Sequence, residues 1–165
     1  MPERIKRNYH LMVWPALAVV LLDQISKYAV AHSLRLYETV PVITGFFNLV
    51  HTRNRGMAFG LMNRPGIGLG FFVLLAASIG ATAVLLFWFL KLKKEEKLMT
   101  MGLSVVLGGA LGNLIDRVFH REVIDFIDIY YGKYHWPAFN IADSAITTGT
   151  LLIAICLLFK RSPAK

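Results

Sequence analysis

Four aspartates stand in or beside stretches that are otherwise almost wholly apolar: Asp23, Asp116, Asp125 and Asp143. A carboxylate within a nonpolar span costs a few kcal/mol to place there, so it faces a partner or a wet cavity. Asp143 lies in Phe-Asn-Ile-Ala-Asp-Ser-Ala-Ile-Thr, residues 139–147, with no basic residue within four positions on either side. Asp125 lies in Val-Ile-Asp-Phe, residues 123–126, and Asp128 follows three positions later. Asp125 is on a segment leaving one apolar stretch and Asp143 on a segment entering the next, at matched depth, so the two can meet in space. Adjacent carboxyls share one proton because like charges resist double ionisation. The ionised member then draws a proton from an attacking water while the protonated member supports the developing oxyanion, which is aspartyl protease chemistry. On spacing alone, the same acids also fit a proton relay or an ion site. A plain structural role fits them too, with Asp125 capping a turn and Asp143 in a helix-end network.

Asp23 and Lys27 are four apart, share a helix face and pair with each other. Asp116 and Arg117 close another apolar stretch, and ion-paired scaffolding is the plain reading of all four. Other chemistries lack their parts. The five histidines, His10, His32, His51, His120 and His135, form no H-x-x-x-H pair, and Cys156 is the sole cysteine, so zinc ligands and an internal disulfide are both missing. No phosphate-binding G-x-x-x-x-G-K-[ST] loop is present. A Ser/Lys protease would have to use Lys27, and the neighbouring Ser26 points about 100° away from it on a helix.

The elements that must position these acids are membrane spans. Hydrophobic residues make up 56% of the chain against 17% charged, with mean hydropathy +0.54. The net charge of +8 sits in short clusters rather than over a soluble face, which argues against nucleic acid as a partner. Apolar stretches at 11–30, 67–90, 98–118 and 139–159 are each long enough, at about 1.5 Å per residue, to cross a hydrocarbon core of about 30 Å. The expected fold is an all-α membrane protein with four transmembrane helices and a small extracytoplasmic β-element at about 36–64, where β-branched and aromatic residues flank a Thr44-Gly45 turn. The whole chain, 1–165, reads as one integral-membrane domain. Ten of the eighteen basic residues lie in 1–10, 91–97 and 160–165, which places both termini in the cytoplasm and 31–66 and 119–138 outside. In the second outer segment Tyr130, Tyr131, Tyr134 and Trp136 surround Gly132 in a short hairpin suited to the headgroup layer. Gly66/Gly70 and Gly108/Gly112 have G-x-x-x-G spacing, read as close helix packing. A cleaved signal peptide is the alternative for the N-terminus, but Asp23 and Lys27 interrupt the approach to Ala29-Val30-Ala31. A transporter using the same acids would show a second, inverted half, and the sequence has no such symmetry.

Taken in order, Asp23-Gln24-Ile25-Ser26-Lys27, Asn54-Arg55-Gly56-Met57-Ala58-Phe59, Asn113-Leu114-Ile115-Asp116-Arg117, Val123-Ile124-Asp125-Phe126 and Phe139-Asn140-Ile141-Ala142-Asp143-Ser144 resemble the lipoprotein signal peptidase (signal peptidase II) family over nearly the whole chain. That resemblance implies an aspartyl endopeptidase of the bacterial cytoplasmic (inner) membrane, with its active site at the outer face. It implies that the enzyme removes the signal peptide from diacylglyceryl-modified prolipoproteins on the N-terminal side of the lipidated cysteine. It makes Asp125 and Asp143 the catalytic pair, lined by Asn54, Gly56, Asn113, Arg117 and Asn140, with Asp23, Lys27 and Asp116 as support. It implies no cofactor or metal, and membrane lipid and the prolipoproteins as partners, with no obligate protein partner. The orientation is open to test. In intact cells Lys94→Cys should resist an impermeant thiol reagent and Lys133→Cys should react; labelling at position 94 overturns the assignment.

Overall fold

A computed structural model describes residues 9–55, 69–93 and 95–159. Its elements in chain order are α1 (Tyr9–Ser33), β1 (Thr39–Ile43), β2 (Phe47–Asn54), α2 (Leu69–Phe89), α3 (Lys97–His120), β3 (Val123–Tyr131), β4 (Tyr134–His135) and α4 (Ile141–Leu158). All four helices are long and apolar enough to cross a membrane. They coincide with the four expected stretches to within a few residues, and α4 begins at Ile141 rather than at Phe139. Asp143 therefore lies in the first turn of α4.

Small residues make α3 the axis of the bundle. A Cβ on Gly108 would stand 2.7 Å from the Ala16 carbonyl oxygen of α1, and one on Gly149 would stand 2.9 Å from the Gly102 carbonyl oxygen. Gly109 lies against the Ala142 carbonyl of α4 in the same way. Backbones this close gain dispersion contacts along their length, which is how helices associate where no hydrophobic effect separates them from lipid. The outward residues are apolar instead. Leu69, Phe72, Ile79 and Phe87 of α2 and Trp14, Leu22 and Ile25 of α1 are exposed, a surface suited to hydrocarbon and ruinous in water. At the end of the bundle away from the sheet, Phe89, Leu92, Met99, Leu103, Val106 and Ile153 form the core. Beside Pro15, which has no N–H to give α1, the Ser104 hydroxyl accepts from the Ala16 N–H at 3.0 Å and donates to the Met12 carbonyl.

The strands form one antiparallel sheet in the order β1-β2-β3-β4. Glycines at positive φ, Gly45 (84°) and Gly132 (59°), turn its two hairpins. Two separate outer elements were expected; the pairing of β2 with β3, Thr52 opposite Asp125 and Asn54 opposite Val123, fuses them. Alternation within each strand does not reveal its distant partner, so a union across two spans leaves no local signal. The expected β-element runs to 64, and its portion at 56–64 lies outside the described residues, as does Gly66.

After β4 the chain returns along β3, where Phe139 accepts from the N–H groups of Phe126 and Ile127 at 3.0 and 2.8 Å and donates to Ile127 at 3.1 Å. This fixes Asn140 beside Asp125 before α4 begins. Gly112 does comparable work on α3: a Cβ there would meet Asp23 Oδ2 at 2.6 Å and Cγ at 3.1 Å. Gly112→Ala should therefore destabilise the protein by about 1–3 kcal/mol through overpacking. Gly80→Ala, on α2 with nothing within 4 Å, should be neutral or stabilising by about 0.5–1 kcal/mol. Thermal unfolding in detergent separates them, and equal melting temperatures would contradict the packing.

Candidate active site

The site is built around a lysine. Asp23, Gln24 and Lys27 share one arc of α1, and Lys27 is 2% exposed. Its Nζ lies 2.8 Å from Asp23 Oδ2, 2.9 Å from Asp116 Oδ2 and 3.1 Å from Asn113 Oδ1, so all three ammonium donors are spent. The carboxylates are completed from other elements. Asp23 Oδ1 accepts the Ala142 N–H of α4 at 2.9 Å, Asp116 Oδ2 accepts the Ile124 N–H of β3 at 3.2 Å, and Gln24 Nε2 donates to Asp116 Oδ1 at 3.0 Å. Lys27 thus pairs with Asp23 as expected and with Asp116 as well. Arg117 does not take Asp116; its Nη1 donates to the Asn113 carbonyl oxygen at 3.1 Å, and its charge attracts Asp143, Asp116 and Asp125.

Asn113 carries the lysine's influence one bond further. With Lys27 and, at 3.2 Å, Asn140 Nδ2 on its oxygen, its amide nitrogen must face the other way, where it donates to Asp143 Oδ1 at 2.8 Å. Asn140 is the N-cap of α4: its Oδ1 accepts the Asp143 N–H at 2.9 Å while its Nδ2 donates to Asp125 Oδ1 at 2.8 Å. One buried side chain thereby touches the Asp125 carboxyl and the backbone of Asp143. From β2, Asn54 Nδ2 donates to Asp125 Oδ2 at 3.1 Å, and the Thr52 hydroxyl donates to the Asp125 carbonyl at 3.2 Å. Burial, and after it the charge of Asp143, pushes the Asp125 carboxyl up to about 7, against the amides of Asn54 and Asn140 and the charge of Lys27, which favour ionisation. A carboxyl held there takes and gives a proton near neutrality, as a general acid–base group must.

Of the residues singled out in the sequence, Asp23, Lys27, Asn54, Asn113, Asp116, Arg117, Asp125, Asn140 and Asp143 converge here, and Gly56 lies outside the described residues. Asp128 faces elsewhere, accepting from Asn48 Nδ2 at 2.8 Å and standing 2.8 Å from His135 Nδ1. Gln24 and Gly112 also belong to the site, although the sequence reading gave neither a place in it. Gln24 is adjacent to Asp23 and on the Lys27 side of the helix, a signal that was readable; Gly112 gave only a packing spacing, and that it packs on a carboxylate required coordinates.

A family model described as signal peptidase (SPase) II matches residues 15–159. The chain belongs to the signal peptidase II family. Among its relatives are the lipoprotein signal peptidases of Syntrophus aciditrophicus (strain SB), 43% identical over 158 residues covering 95% of this chain and 98% of that protein, and of Geobacter sulfurreducens, 42% identical over 154 residues covering 93% and 95%. A solved bacterial membrane enzyme, determined by the in meso method at 2.3 Å resolution, superposes with a TM-score of 0.84 at 33% identity over 96% of each chain. A second, at 1.9 Å, gives 0.82 at 32% identity over 94% of this chain and 97% of that one. Family membership makes the chain a peptidase, and its four spans together with these neighbours make it a multi-pass membrane protein.

In this chain the Lys27 cluster has a measurable weight. Lys27→Met strands two buried carboxylates, so about 3–5 kcal/mol of stability should be lost, and turnover of the folded fraction should fall because Asn113 loses one of the two donors on its oxygen. Melting temperature and single-turnover rate in detergent check both; a variant as stable as the parent refutes the role given to Lys27.

Proposed function

We propose that this protein is an aspartyl endopeptidase that removes the signal peptide from diacylglyceryl-modified prolipoproteins, cutting on the N-terminal side of the lipidated cysteine. Asp125 and Asp143 act as the pair, and the observation that carries this reading is Asn140, whose nitrogen donates to the Asp125 carboxyl while its oxygen takes the backbone N–H of Asp143. One carboxyl is ionised and one protonated at the start of the cycle. The ionised acid takes a proton from a water between them as that water attacks the scissile carbonyl, and the protonated acid gives its proton to the oxygen that becomes negative. Collapse of the tetrahedral intermediate breaks the C–N bond: the leaving amine takes a proton from the acid that gained one, and a hydroxyl of the intermediate returns its proton to the other acid as the C=O bond re-forms. Arg117, Asn54 and Asn113 line this space, and Lys27, Asp23 and Asp116 hold the lining in place.

The whole chain works as one domain in the bacterial cytoplasmic membrane, with both termini inside and the sheet and acids at the outer face. There the lipid on the substrate cysteine anchors the scissile bond at the membrane surface, and the apolar bundle receives the signal helix from the side. The family name and the names of the curated relatives support the substrate class, and the basic clusters support the orientation.

Asp125→Asn and Asp143→Asn should each abolish cleavage of a lipidated prolipoprotein by purified protein in detergent, with the double variant no worse than either single one, because the two carboxyls work as a unit. Asp128→Asn should keep turnover and lose some stability through its contacts to Asn48 and His135. Wild-type activity should follow a bell-shaped pH profile that belongs to the pair and should be indifferent to chelator. Substantial turnover by either single variant, or loss on chelation, rules the pair out.

A further inference from the structure

Glu122 is a buried acid that the chemistry above leaves unused. Its side chain is 7% exposed and accepts Arg53 Nη1 on Oε1 at 2.5 Å and Arg55 Nε on Oε2 at 2.9 Å. Burial by itself raises such a carboxyl; the hydrogen bonds from Arg55 and Arg53 outweigh it and leave the group below its usual range. Both bonds are charge-assisted, which makes them stronger than neutral ones.

The two arginines flank Asn54, the last residue of β2. Side chains alternate along a strand, so Arg53 and Arg55 leave by one face and Asn54 by the other, toward Asp125. The register ends there, Arg53 opposite Ile124 and Asn54 opposite Val123, and a strand end frays unless something grips it. Glu122 directly precedes Val123. It follows Arg121, whose left-handed backbone (φ 61°) ends α3 and turns the chain into β3. The carboxylate thus holds the residue before Asn54 and the residue after it, from behind.

We infer that Glu122 is a positioning residue for this reaction: by gripping Arg53 and Arg55 it fixes the end of β2 so that Asn54 keeps its amide on Asp125. This rests on the reading of Asp125 as one of the two working acids.

The sign of a pH shift tests it. An amide donating to a carboxylate favours the ionised form, so losing that bond moves the activity profile to higher pH. Removing a negative charge from beside two arginines does the reverse, because excess positive charge near Asp125 favours ionisation. With a lipidated prolipoprotein and the purified full chain in detergent, Glu122→Gln should lower kcat about tenfold with KM changed less than about twofold, and the profile should move to higher pH. Glu122→Asp keeps the charge but is too short for both arginines, and should shift the profile the same way; it serves where Glu122→Gln fails to fold. On an Asn54→Ala background, Glu122→Gln should add no further shift. A move to lower pH, an unmoved profile with a lowered melting temperature, or a full additional shift without Asn54 each overturns the inference. Asp125→Asn, assayed in parallel, separates the two readings: activity there removes the pair itself, whereas an inactive Asp125→Asn beside an unshifted Glu122→Gln removes only the role of Glu122.

Discussion

An ammonium shut away from water must find acceptors for all its protons, and Lys27 finds them on three side chains from two helices. Buried ion pairs of this kind add little net stability over apolar packing, yet they are severe judges of geometry, because any arrangement that separates the partners leaves a bare charge in a poor dielectric. Here the two carboxylates also accept backbone N–H groups from β3 and α4. The relative placement of α1, α3, β3 and α4 is therefore set by polar groups inside a bundle whose exterior is indifferent to register. Asn113, held by the lysine, converts that placement into the orientation of a single amide beside Asp143.

Close helix packing and this polar core depend on each other. Glycines along α3 admit the backbones of α1 and α4, and only at that separation does a lysine on α1 reach an aspartate on α3. Gly112 belongs to both arrangements, lying on the packing seam and against the Asp23 carboxylate. Dispersion supplies the attraction and the ion cluster selects one geometry from the many that smooth helices allow.

Much of this was legible in the chain itself. The four spans follow from length and apolarity, and the helical spacing of Asp23 and Lys27 gave their pairing. The acids could be singled out because hydrocarbon tolerates few of them. Three things were not legible. The second partner of Lys27 lies on α3, and sequence spacing gives i,i+4 neighbours but no neighbours on other helices. The sheet is continuous because β2 meets β3 across two intervening spans, and nothing local encodes that pairing. Arg117 points away from Asp116 on a regular helix, but which neighbour each would meet depends on other elements, and it is Lys27 of α1 that takes the aspartate.

Asn140 has one further consequence, which concerns time rather than geometry. Its oxygen caps α4 and its nitrogen holds Asp125, so the first turn of the final helix and the assembly of the acids are a single event. A nascent chain emerges in order, and Asp143 enters with the last span. No insertion intermediate that lacks that span holds both acids, and until α4 starts its helix at Asn140 the Asp125 carboxyl has no tether to the backbone that carries Asp143. Assembly of the acid pair is in this way coupled to completion of the fold, through one asparagine side chain.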